Sequence, residues 1–134
     1  MQKEDKKLDG FQIGISKTLP VSTDFVWDFL FSDEGLKIWL GNMNSEDFEL
    51  NKTYKTDDGI TGKLTVFKPD CHIRLTWKPT HWTNNSIVEV RVKNSKGRAV
   101  ILFHHTKIIT FEQREEMKIR WNKVLTEFEN IFNG

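Results

Sequence analysis

Cys71 is the only cysteine, so no disulfide can form within the chain. Repeats, low-complexity runs and linkers are absent as well. No apolar stretch approaches the ~18 residues that a membrane-spanning helix needs. No signal peptide, with a charged start and an apolar middle, precedes Leu8. Neither sign of charge dominates: 20 Lys and Arg face 19 Asp and Glu, for a net charge of +1. That balance argues against a dedicated nucleic-acid binder, which would show a strongly basic face. The expectation from these absences is a cytoplasmic protein with neither membrane nor nucleic acid as partner.

Catalytic and metal signatures are missing too. The four histidines show no H-x-x-x-H spacing, and no C-x-x-C pair is possible with one cysteine. No G-x-S-x-G, paired-carboxylate signature or phosphate loop occurs. The Asp57-Asp58-Gly59 run reads as a solvated hairpin turn. Cys71 opens an alternating strand and reads as a small buried hydrophobe, not a nucleophile. No metal and no cofactor are expected, and binding is a better expectation than catalysis.

What the chain has is rings: ten Phe, five Trp and one Tyr in 134 residues. Aromatic side chains carry large apolar area. The interior must therefore be bulky and full, or bulky and hollow. The stretch 74–82, RLTWKPTHW, holds two of the tryptophans where a strand leaves its sheet.

Periodicity supplies the elements. The mixed-charge start, residues 1–10, reads as a frayed terminus before a single domain over 11–134. Phe11, Ile13 and Ile15 alternate as a half-buried strand that Pro20 breaks. Ser22 and Ser32 are natural N-caps for two short helices, whose apolar faces include Val26, Trp27 and Leu30, then Leu36, Trp39 and Leu40. A strand at TYKT and four alternating runs follow. Leu64 and Val66 share one face of the first run. Cys71, Ile73, Leu75 and Trp77 share one face of the second, and Val88, Val90 and Val92 one face of the third. The fourth puts Val100, Leu102 and His104 on one side, and Ile101, Phe103 and His105 on the other. Thr110 and Gln113 form a capping box for a long terminal helix. Its apolar face runs from Met117 through Trp121, Val124, Leu125 and Phe128 to Ile131 and Phe132. Strands segregated from helices predict an α+β fold with a curved antiparallel sheet wrapped around that helix.

This order, carried by residues 26–41 (VWDFLFSDEGLKIWLG), 62–79 with Trp82, 103–105 (FHH) and 114–132, resembles the SRPBCC or START-like helix-grip superfamily. Within it the chain is most similar to the branch related to the C-terminal domain of the activator of the ninety-kilodalton heat-shock protein's ATPase. The resemblance implies a cavity between the long helix and the concave sheet face, where many relatives bind small apolar or amphipathic molecules. It also implies a possible chaperone partner. Bacterial members of the branch often read Phe-His-Gln-Glu after the last strand; here the run is Phe103-His104-His105-Thr106, without the glutamine and the acid.

On that footing Leu64, Val66, Leu75, Trp77, Val90, Leu102, Met117, Trp121, Leu125 and Phe128 are the candidate walls of a ligand cavity. Trp39 and Trp82 are candidates for its rim, and His104 for its polar contact. The same residues serve equally as plain core. If the protein is an enzyme, a cyclase or hydrolase in the same cavity, His104 is the candidate general base. The leading expectation is small-molecule binding; the alternative is a co-chaperone-like interaction module.

Overall fold

A computed structural model describes residues 11–133. Strand β1 (Phe11–Leu19) leads into two short helices, α1 (Thr23–Leu30) and α2 (Asp33–Trp39). A 3-10 turn (Ser45–Asp47) precedes β2 (Thr53–Lys55), β3 (Thr61–Lys68), β4 (His72–Trp77), β5 (Ser86–Ser95) and β6 (Arg98–Ile108). The chain closes with α3 (Phe111–Asn133). All six strands are antiparallel in the order β1-β6-β5-β4-β3-β2, so the first strand pairs with the last. This is the curved sheet and long terminal helix of a helix-grip fold. No described helix is long and apolar enough to cross a membrane. The expected frayed start, residues 1–10, lies outside the described residues.

Local chemistry explains the boundaries. The Ser32 hydroxyl accepts from the Gly35 amide at 3.0 Å and caps α2. Ser22 stands at the cap of α1 but its side chain makes no capping bond. Thr110 caps α3 by accepting from the Gln113 amide at 3.0 Å, while Gln113 Oε1 reaches back to the Ile109 amide. One face of α3 is buried over five positions, Met117 to Phe128, and the expected stripe frays beyond them, because Ile131 is exposed.

The sheet holds a bulge where the alternation of β3 breaks. Leu64 pairs with Leu75, but Val66 pairs with Arg74 and Phe67 with Ile73. One extra residue between the pairs reverses the faces. Val66 therefore lies with Arg74 on the side away from α3, and Phe67 turns inward to meet Trp27 at 5.7 Å. Cys71 also departs from expectation: it sits in the β3–β4 turn and is exposed.

Gly62 lets β3 approach its neighbour. A Cβ there would lie 1.9 Å from the Thr76 carbonyl oxygen, which accepts the Tyr54 hydroxyl. Backbone cannot move aside as a flexible side chain can. Gly62→Ala is expected to cost about 1–3 kcal/mol, read as a lowered urea midpoint with an unchanged slope.

Candidate functional site

The long helix lays Trp121 across the middle of the sheet. Its ring stacks on Phe103 at 4.6 Å and 12°, and lies 5.4 Å from Trp77. Trp39, Trp77, Trp121, Phe103 and Phe128 are all fully buried. The candidate walls thus pack against one another. Ten of the thirteen expected site residues face this interior or its margin: Leu64, Leu75, Trp77, Val90, Met117, Trp121, Leu125 and Phe128 at the centre, with Trp39 and Trp82. Trp39 is core and not rim, anchored by its Nε1 donating to the Leu30 carbonyl at 2.9 Å.

Three expectations fail. Val66 is turned outward by the bulge. Leu102 and His104 also lie on the outer face, where His104 Nε2 bonds Gln12 Oε1 at 2.9 Å. The inward residues of β6 are Ile101, Phe103 and His105, because they pair directly with Val92, Val90 and Val88. Direct antiparallel partners share a face. The signal was in the β5–β6 turn. Lys96 and Gly97 both take positive φ, 54° and 83°, as a two-residue type I′ loop requires. Placing that loop at 96–97 makes 90 pair with 103, and so selects His105 over His104.

His105 is the polar centre of the interior. Ser86 Oγ donates to the Trp77 carbonyl at 2.7 Å, so its lone pair must accept from His105 Nε2 at 2.8 Å. That fixes the tautomer, and Nδ1 accepts from Trp121 Nε1 at 3.1 Å. Burial, then the charges of Arg120 and His104, push the imidazole pKa down to about 3. Both ring nitrogens are occupied in the neutral state. The only histidine inside therefore has no free lone pair to act as a general base, and His104 is outside.

The second feature is Arg120, which the pattern of α3 hides among exposed charges. It stands three residues after Met117 and four before Val124, on the border of the apolar stripe. Its guanidinium lies over the Trp77 ring, 4.7 Å from the centroid. Nη2 donates to the Trp39 and Leu40 carbonyls at 3.1 and 3.2 Å, which closes the C-terminal end of α2. Burial draws its pKa down, while Asp58 and Glu116 draw it up. Among the described residues no carboxylate forms an ion pair with it.

Among the described residues two buried side-chain donors remain unpaired: Arg120 Nε and Trp77 Nε1. Buried N–H groups without acceptors are costly and uncommon. Arg120 also lines a cleft of about 490 Å³ that opens between α2, the 57–58 turn and α3. Lys37, Lys123, Asp57 and Glu127 line it as well, with Ile38 and Val124 as its apolar part. A second cleft, of about 510 Å³, lies between α1 and the end of α3 over Phe25, Phe29 and Phe132. None of the thirteen expected residues lines either cleft. Among the described residues no three His, Cys, Asp or Glu side chains gather as a metal site.

Residues 20–133 match the family described as activator of Hsp90 ATPase homolog 1-like protein. The chain belongs to that family. The fold agrees with solved structures of low identity. An HSP90 activator from Plasmodium falciparum superposes with a TM-score of 0.77 at 18% identity, over 92% of this chain and 97% of that one. The Aha1 dimer from Colwellia psychrerythraea gives 0.73 at 14%, over 91% and 96%. DynU16, a protein of the dynemicin biosynthetic locus, gives 0.76 at 10%; this chain covers 46% of its length, and 89% of this chain is matched. No curated protein matches the sequence. At such identities the likeness speaks for the fold alone, and activity in this family of folds resides in the site.

Proposed function

We propose that the protein binds a small amphipathic molecule at the cleft between α2 and α3, with an acceptor group of the ligand over Arg120. The observation that carries this reading is the unpaired buried donor Arg120 Nε in the wall of an open cleft. A carboxylate or carbonyl oxygen would pair a donor that the protein leaves bare. The apolar part of the ligand would lie along Ile38 and Val124. Arg120 itself rests on the Trp77 ring, which stiffens that wall of the cleft.

The test is an NMR titration with laurate, phenylacetate and cholate, following the arginine Nε–H resonances. The Arg120 Nε–H resonance is expected to move downfield, as a donor gaining an acceptor does. Arg120→Met should weaken binding at least ~10-fold, the effect of losing a charge-assisted bond. Its thermal midpoint would be measured in parallel, since Arg120 also closes α2. An Arg120 Nε–H resonance unmoved by all three probes at millimolar concentration would sink the proposal.

A second reading, a co-chaperone-like interaction module, draws support from the other cleft. Phe25 and Ile131 are 60% and 40% exposed beside Phe29 and Phe132, and apolar surface of this kind suits protein contacts. Unchanged Hsp90 ATPase rates in the presence of the protein, together with no chaperone in a pull-down, would exclude it.

A further inference from the structure

The net charge of +1 conceals a segregation by element. The strands carry nine Lys and Arg: two each on β3, β5 and β6, and one each on β1, β2 and β4. They carry a single carboxylate, Glu89. Every other Asp and Glu between residues 11 and 133 lies in a helix or a connection.

Register concentrates these cations on the face turned away from α3. Lys68, His72 and Arg91 stand directly opposite one another across β3, β4 and β5. In the next row Val66, Arg74, Glu89 and His104 stand side by side. Lys93 and Lys63 extend the patch, and all five Lys and Arg named are exposed. Glu89 is occupied by Arg91 Nη2 at 3.0 Å, while Arg74 forms no ion pair among the described residues.

Stability does not explain this arrangement. Lys68 and Arg91 flank His72 in a row without a carboxylate, and Glu89, the one carboxylate opposite Arg74, is already held by Arg91. The lysines that guard sheet edges against pairing belong on edge strands, whereas Arg74, Arg91 and Lys93 occupy β4 and β5 in the middle of the order. The burial of His72 beside Arg91, Lys68 and Arg74 lowers its pKa, a local sign of the same crowding.

We infer that the outer face of β3–β5 is a docking surface for an acidic protein segment. Half-buried Val66, Ile87 and Leu102 lie between the cations, which fits a segment of carboxylates with interspersed apolar residues. Nucleic acid fits less well. Single-stranded binders stack bases on aromatic rings, and no strand directs a Phe, Tyr or Trp to this face: Tyr54, Trp77 and Phe103 are buried inward, and Phe67 pairs with inward Ile73. This surface is independent of the cleft at Arg120.

The experiment uses the full chain, labelled with nitrogen-15, titrated with poly-L-glutamate and, separately, with a 20-nucleotide single-stranded DNA. Poly-L-glutamate is expected to shift the amides of residues 72–74, 89–93 and 102–104. Raising salt from about 50 to 300 mM should weaken it several-fold, because exposed charges are screened beyond a Debye length. The double variant Arg74→Glu, Arg91→Glu should weaken it at least tenfold. Lys63→Glu with Lys93→Glu provides a second variant, and thermal midpoints establish that each folds. Absent shifts, shifts on the helical side alone, or unchanged affinity in both folded variants would overturn the inference. Tighter binding of DNA than of poly-L-glutamate to this face would overturn it in favour of nucleic acid.

Discussion

Trp121→Ala is expected to cost about 3–5 kcal/mol of folding free energy, a large share of the roughly 5–15 kcal/mol that stabilises a domain. The indole is fully buried, stacks on Phe103 and touches Trp77. The Arg120 guanidinium lies 5.7 Å from its ring. Truncation would open a void that these rigid rings cannot close, and would strip His105 Nδ1 of its donor. Trp121→Phe separates the two losses. It keeps a ring against Phe103 and removes only the N–H and part of the volume, for an expected cost of about 1–3 kcal/mol. Urea unfolding of both variants measures the difference. An alanine variant that lost less than ~1.5 kcal/mol would mean that Trp121 borders space and not packed core. The experiment thereby decides between a full and a hollow interior, which side-chain periodicity alone cannot do.

The fold was legible because its signals are local and agree with one another. The capping box at Thr110 and Gln113, the Ser32 cap and the apolar stripe of α3 each mark one boundary, and together they leave few topologies. The site was less legible for reasons particular to each residue. On β6 both faces are apolar, Val100 and Leu102 against Ile101 and Phe103, so alternation could not say which face is inside. Only the register set by the Lys96-Gly97 loop does so. The bulge after Leu64 leaves no mark in a sequence of Leu, Thr, Val and Phe, any of which suits either face. Arg120 is one charge among many on α3, and its place beneath α2 depends on a contact 80 residues away. Composition misled most on charge. A sum near zero suggests an even surface, yet the strands carry nine cations and a single carboxylate, and the other carboxylates between 11 and 133 lie on helices and turns.

Acid should destabilise the protein through His105 as pH falls from 6.5 toward about 3. The folded imidazole is held neutral, with its pKa depressed from 6.5 to about 3. The unfolded imidazole takes up a proton below 6.5. Between those values the unfolded state binds the extra proton, so stability present above 6.5 is lost as pH falls through the window. Protonation in the folded state would place a hydrogen on Nδ1, against the Trp121 N–H that now donates to it. Carboxylates titrate in the same range and would mask the effect in the wild type alone. His105→Gln isolates it, because glutamine does not titrate and can offer one donor and one acceptor. The variant should be less stable at pH 7, and its stability should fall less steeply than the wild type's between pH 6.5 and 4. Parallel curves would show that His105 is not locked neutral, and that the chain from Trp121 through His105 and Ser86 to the Trp77 carbonyl does not form as drawn.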